Sequence, residues 1–438
     1  MKKRFPALYI LVFLFIILLS SCKTNHRDDG LAQKVTITFW HSMGLQHSKI
    51  LNGIIADFES QHPQIHVNPV YQGGYTQLLT NLTASCTAGT NPVMSQMYES
   101  WTTRFLDYDL LKNVDDLAKD YGGLSPESRS DIPEVFIKDN SWNGKLVTLP
   151  FNKSAYMLFY NKDALKKIGF VNEKGEGRPP VTWSEFRDAA LKMTQRERTE
   201  VRQYGYGVRP FIEGFTYFLF RAGGQYLDSD GKKVLFADEI GRMTLDYLVD
   251  MKVKDGSVYV EPGYLDTPFG AGRIAMCVNS TASLPYTEKA VAGRFDWGIA
   301  PIPYPDGKEE SARTLFQGTN IGIFKNHPDE KIVAAWKFIS FLTDTKSATA
   351  WSVGTGYLPI RYSVMQTEMM QDYLKKNPRY SSAAALLDNG IFEPRVLTWE
   401  PVRTVITDYF EAALNGRRSS EETINAMKEK CEKIIRTF

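Results

Sequence analysis

The sequence predicts an α/β fold in at least two packed lobes. Three observations lead there: strand-like and helix-like segments alternate along the whole chain, its opening elements read β-α-β, and its 438 residues amount to about two or three typical domains. Val35, Ile37 and Phe39 alternate with polar residues, the period of a half-buried strand. Ile50, Leu51, Ile54, Ile55 and Phe58 then follow at helical spacing, and Ile65 to Tyr71 reads as a second strand. That order calls for a right-handed crossover and a parallel-rich sheet, with ligands at the carboxyl ends of its strands. Leu158 to Gly169 reads as a strand running into a short helix that the glycine ends. Thr182-Trp183-Ser184-Glu185 is a capping box opening a helix towards Met193. Ser419 with Glu422 opens the last helix, whose apolar stripe is Ile424, Met427, Cys431, Ile434 and Phe438. Gly175 to Pro180 and Pro303 to Ser311 read as loops, and no internal repeat is present.

The composition is 43% apolar and 13% aromatic, which excludes disordered and fibrous classes. Lys2, Lys3 and Arg4 precede an apolar run from Phe5 to Leu19, suited to the core of a secretory signal. Leu19-Ser20-Ser21-Cys22 resembles the bacterial lipobox, so residues 1–21 are expected to be removed and Cys22 to carry a lipid anchor, with 22–33 as a polar tether. Loss of those three basic residues leaves 49 of the 52 Lys and Arg against 50 Asp and Glu, a mature charge near −1. A nucleic-acid partner is not expected from that balance. Beyond Cys22 an odd number of cysteines remains, Cys86, Cys277 and Cys431, each with apolar neighbours. They read as buried structural thiols with no essential disulfide.

Several motifs resolve to local structure. Gly270-Ala271-Gly272-Arg273-Ile274-Ala275 matches a dinucleotide fingerprint, but a turn-rich stretch precedes it and a strand follows, which reverses the required order. Asp228-Ser229-Asp230-Gly231 echoes a calcium loop, yet Lys232 and Lys233 stand where a ligand oxygen and a glycine belong, so a hairpin turn is expected. His62 and His66 are separated by Pro63 and do not share a helical face, and no metal or cofactor is expected. Metallopeptidase, hydrolase and nucleotidase signatures are absent. Trp40, Tyr71, Tyr75, Tyr98, Trp101, Tyr357 and Trp399 lie near Gly, Pro and polar residues, where rings can line a cleft.

Taken in order, Ile37-Thr38-Phe39-Trp40-His41-Ser42, Asn91-Pro92-Val93, Tyr160-Asn161-Lys162-Asp163, Thr182-Trp183-Ser184-Glu185-Phe186, Ala275-Met276, Ala335 to Leu342 and Thr355-Gly356-Tyr357-Leu358-Pro359 resemble the extracytoplasmic solute-binding proteins of ABC importers. The resemblance is to the carbohydrate-type group that includes maltose-binding proteins, and within it to glycerol-3-phosphate and glycerophosphodiester binders. It implies a two-lobed type II periplasmic-binding fold with an interlobe cleft. The expected lobes are 34–148 with 300–345, and 149–299 with 346–438.

The same resemblance implies a ligand site of Trp40, His41, Tyr75, Glu99, Ser154, Ser280, Gly318, Tyr357 and Arg403. The set suits a phosphate-bearing polyol: a guanidinium fork, hydroxyl donors and a glycine N–H for the anion, and Glu99 to accept from glycerol hydroxyls. A tryptophan pair that lines the glycerol side in that type has no counterpart between Gly207 and Phe218, where Arg209, Phe211 and Phe215 are the large side chains. A glycerophosphodiester is therefore expected over the monoester, with a sugar as the alternative and an exported hydrolase as the more distant rival. The implied partners are an ABC permease and, through the anchor, a bacterial membrane facing the periplasm or the outside; a monomer without catalytic activity is expected.

Overall fold

The computed structural model describes residues 34–437, so the expected signal, Cys22 and Phe438 lie outside the described residues. A five-stranded sheet forms the first lobe, in the order Ile65–Tyr71, Val35–His41, Met94–Met97, Asn320–Ile323, Leu149–Pro150. Val35–His41 runs parallel to both neighbours, while Asn320–Ile323 returns antiparallel. Ile37 and Phe39 are fully buried, and helix Leu45–Gln61 packs over them with Leu51, Ile54, Ile55 and Phe58 turned inward. The period-two and period-3.6 patterns in the sequence therefore face each other across one core.

The second lobe is built on an eight-stranded sheet. Its main path runs Val258–Val260, Glu200–Val208, Ile274–Ser280, Ser154–Asn161, Thr314–Gln317, Gly390–Ile391, and Trp297–Ala300 also pairs with Ser154–Asn161. Ser154–Asn161 is buried along almost its whole length, as a strand covered on both faces must be. The helix after it, Lys162–Lys167, ends just before Gly169, whose φ of +85° suits glycine. Thr182 caps helix Trp183–Met193 through Glu185 N, and the Glu185 carboxylate reaches back to accept from Val181 N. Ser419 and Glu422 form the reciprocal box that opens helix Ser420–Thr437, and Ile424, Met427 and Cys431 are buried along it.

Strand pairing shifts two of the expected crossings. Ala300, expected where the chain re-enters the first lobe, pairs with Leu158 in the eight-stranded sheet, and first-sheet pairing resumes at Asn320. Thr314–Gln317 and Asn320–Ile323 are nearly contiguous in sequence, and the alternating pattern carries no mark of the sheet change between them. Helix Thr345–Thr355, expected in the second lobe, lies on helix Leu45–Gln61, with Ile50 against Gly354. The chain has rejoined the second lobe by helix Pro378–Ala384, which packs on Trp297–Ala300.

Gly270 to Ala275 is a turn between helix Asp266–Gly270 and strand Ile274–Ser280, and Asp228 closes a hairpin by accepting from Lys232 N and Lys233 N. Cys277 and Cys431 are buried free thiols, but Cys86 is only half-buried. Cys86 sits on the outer part of helix Tyr75–Ala88, whose buried positions are Leu78, Leu82 and Ser85. Among the described residues no group of three metal-binding side chains forms, and no helix is long and apolar enough to cross a membrane.

Candidate ligand site

Two of the crossings lie side by side, Pro150 to Ser154 and Gln317 to Asn320, and polar side chains converge on them. Asn152 is the hub. Its Oδ1 accepts from Thr319 N at 3.0 Å and Gln96 Nε2 at 3.2 Å, and its Nδ2 donates to the Tyr75 hydroxyl at 2.9 Å. Tyr357 enters the same hydrogen-bonding group from the far side, buried against Trp351 with its ring stacked 5.7 Å away. Burial pushes the phenols of Tyr75, Tyr98 and Tyr217 well up, so they remain protonated donors.

Gly318 occupies the tightest point. Its φ is +122°, and a Cβ there would stand 2.0 Å from Asn152 O, so no other residue fits without moving both crossings. Its carbonyl accepts from Lys153 Nζ at 3.1 Å. Lys153 is fully buried and also reaches Asp139 Oδ2 at 2.7 Å and Glu99 Oε1 at 3.0 Å. Burial pushes the Asp139 carboxyl well up, with the Glu99 charge adding to it against the pull of Lys153.

A second network covers the opposite wall. Tyr156 donates to Gln317 Oε1 at 2.8 Å, and Gln317 Nε2 donates to Glu393 Oε1 at 3.3 Å. Glu393 Oε2 accepts from Arg403 Nη1 and from Trp399 Nε1, while Arg403 Nη2 donates to Glu213 Oε1 at 2.5 Å. Burial pushes Glu393 up to about 7, Arg403 opposing and Glu213 reinforcing the shift. Burial also works against the Arg403 charge, but Glu393, Glu213 and Glu400 outweigh it and fix the guanidinium as a cation. Against its own burial, Glu213 is held below the usual carboxylate range by that cation.

The nine expected site residues divide accordingly. Tyr75, Gly318, Tyr357, Ser154 and Arg403 meet around the crossings, Ser154 Oγ lying 3.4 Å from Gln317 O. Ser280 is beside them, opposite Tyr156 in the strand register, with its hydroxyl capping Ala282 N. Glu99 is present, but Lys153 and Asn320 take its Oε1. Trp40 packs half-buried with Tyr75 and Tyr98 against the cluster of Leu78, Leu82 and Trp101. His41 is drawn into the core, 3% exposed, with Nδ1 accepting from Met43 N and burial lowering its pKa to about 4. Asn152, Lys153, Asp139, Gln317, Glu213 and Glu393 join these networks without having been among the expected residues. Each is an ordinary polar residue in sequence and acquires its role only from the folding together of distant segments.

Polar groups thus converge where the two sheets exchange strands. The family model for the bacterial extracellular solute-binding proteins matches residues 53–378. The chain belongs to that family. This solute-binding protein is 27% identical over 421 residues to the sn-glycerol-3-phosphate-binding periplasmic protein UgpB of Shigella dysenteriae serotype 1, covering 93% of this chain and 94% of the relative. The UgpB of Escherichia coli strain K12 matches with the same identity and coverage. Among solved structures, UgpB from Mycobacterium tuberculosis in complex with glycerophosphocholine superposes with a TM-score of 0.81 at 22% identity, covering 92% of this chain and 98% of that one. The cyclic alpha-maltosyl-1,6-maltose binding protein from Arthrobacter globiformis gives a TM-score of 0.77 at 21% identity, over 92% and 100% of the two chains. The fold is thus the maltose-binding-protein-like type II periplasmic-binding architecture, and the protein is a substrate-binding transport component of an exported family.

Proposed function

We propose that this protein captures a glycerophosphodiester such as glycerophosphocholine, or glycerol-3-phosphate, and delivers it to an ABC permease without chemical turnover. The observation that carries this reading is the convergence of arginine, tyrosine hydroxyls, serines and Gly318 on one interlobe cleft, in a chain whose relatives over nearly its full length bind sn-glycerol-3-phosphate. Phosphate oxygens accept from guanidinium and hydroxyl donors, and a polyol offers hydroxyls to carboxylates and amides. A handful of such bonds supports micromolar affinity, about −8 kcal/mol. The site holds no arrangement that demands covalent chemistry. Lipidation of Cys22 would hold the protein, as a monomer, at the membrane beside its permease.

One observation favours a second ligand class. Arg403 already holds two carboxylates, Glu393 and Glu213, and that surface suits hydroxyls of a neutral sugar as readily as an anion. Calorimetry with glycerophosphocholine, glycerol-3-phosphate and maltose separates the two. Micromolar binding of a phosphate ligand supports the proposal, maltose binding alone replaces it with the sugar reading, and release of glycerol or choline during incubation would make the protein a hydrolase.

A further inference from the structure

Arg209 follows strand Glu200–Val208 directly, at the carboxyl end of a parallel strand, where open α/β sheets present their ligands. It lies in the stretch that lacks the tryptophan pair. Its guanidinium carbon stands 4.7 Å from the Phe211 ring centre and 5.1 Å from that of Tyr264, so aromatic rings flank the charge. Its hydrogen bonding is sparse by contrast. Nη2 makes one long contact of 3.5 Å to Pro262 O, Nε is buried without a partner, and no carboxylate pairs with it among the described residues. A buried N–H donor left open is costly unless something arrives to use it.

The arginine that the sequence assigns to the anion is in the opposite situation. Arg403 directs one terminal nitrogen to Glu393 and the other to Glu213, so an incoming anion meets a guanidinium whose two terminal nitrogens are already engaged. Arg209 stands four residues before Glu213, the carboxylate that receives Arg403 Nη2, and its charge acts on Tyr156, Tyr217, Glu213 and Asp266. We propose that Arg209 is a second cation that receives the ligand's anionic group, beside Arg403, which also clamps Glu213 and Glu393. Ring contacts strip water from the guanidinium faces and leave its edge for an oxyanion, the geometry in which a planar fork discriminates best. This assignment rests on the reading of the ligand as a phosphate ester.

The test is calorimetric titration of glycerophosphocholine and glycerol-3-phosphate into the wild-type protein, Arg209→Gln and Arg209→Lys, with thermal melting of each. The expected result is a loss of about 10- to 100-fold for Arg209→Gln and partial recovery with Arg209→Lys, which keeps the charge but not the fork. Wild-type binding with undiminished affinity in folded Arg209→Gln overturns the assignment while leaving the proposed function intact. If Arg209→Gln does not fold, Arg209→Met keeps an apolar stem beside the rings without the charge, and undiminished affinity in that variant overturns the assignment equally. Failure of the wild type to bind either phosphate ester removes the proposed function itself.

Discussion

Glu400 reaches across the cleft to Ser100. Its Oε1 accepts from Ser100 Oγ at 2.7 Å and from Trp101 Nε1 at 3.2 Å, joining helix Glu99–Asp107 of the first lobe to helix Trp399–Leu414 of the second. Thr103 Oγ1 adds a bond to Arg395 O at 2.6 Å. A bond made only when the lobes are together favours the closed form by its own free energy, about 1.5–3 kcal/mol for a charged acceptor. Glu400→Ala should therefore enlarge the radius of gyration of the ligand-free protein in small-angle scattering and weaken ligand binding about 10-fold. Unchanged scattering and affinity would show that this clasp does not bias closure.

Lys153 anchors the floor of the cleft. Removing it leaves the buried Glu99 and Asp139 without their cation, and breaking a buried ion cluster of this kind typically costs about 3–5 kcal/mol. Lys153→Met is expected to lower the melting temperature sharply, whereas Lys153→Met combined with Glu99→Gln and Asp139→Asn should regain most of the loss. Recovery in the triple variant separates uncompensated charge from lost packing as the cause.

The first lobe was legible because its signals are local. Ile37 and Phe39 alternate on a strand, Leu51, Ile54, Ile55 and Phe58 repeat on a helix, and each pattern buries the face it marks. Capping residues such as Thr182 and Ser419 are equally local, since their partners lie within a turn. The change of sheet between Gln317 and Asn320 was not legible, because two short strands on either side of one glycine look like a single strand until their partners are known. The charge network failed for a related reason. Arg403 stood out by its type, but its partner Glu213 lies 190 positions away, and Glu393, ten positions before it, sits on a segment with no periodic pattern to show that it turns back on the arginine. His41 was ambiguous in sequence because a histidine after a strand can face a cleft or fill a core, and here it is buried beside Phe39.

Glu393 makes stability and binding respond to pH. Its carboxyl is raised from an ordinary 4.5 to about 7, so between those values the folded chain holds a proton that the unfolded chain has released. Stability from this group is complete below pH 4.5 and is lost as the pH rises through 7. Glu393→Gln cannot titrate, so the melting temperature of the wild type relative to this variant should fall between pH 5 and pH 8. A phosphate ligand should also bind more weakly across the same interval, as the second carboxylate beside Arg403 acquires its charge. Parallel melting curves for the two proteins would contradict the assignment of a neutral Glu393.

Gly318 tests whether the crossing geometry governs both folding and binding. A methyl group there meets Asn152 O at 2.0 Å with the backbone at a φ of +122°, and the contact is with main chain that cannot swing aside. Relief requires moving Asn152, which would pull on Thr319 and Tyr75, or moving Lys153, which would pull on Glu99 and Asp139. Gly307 is a matched control, with a φ of +73° and nothing within 4 Å of the added carbon. Gly307→Ala should cost only the strain of a left-handed residue, about 1–2 kcal/mol, and leave ligand affinity alone. Gly318→Ala should cost more than about 2 kcal/mol and reduce affinity in the same protein, because the displaced atoms are those that hold the tyrosine hydroxyls in place. Equal melting temperatures for the two variants would mean that the crossings yield to the methyl group and do not fix the site.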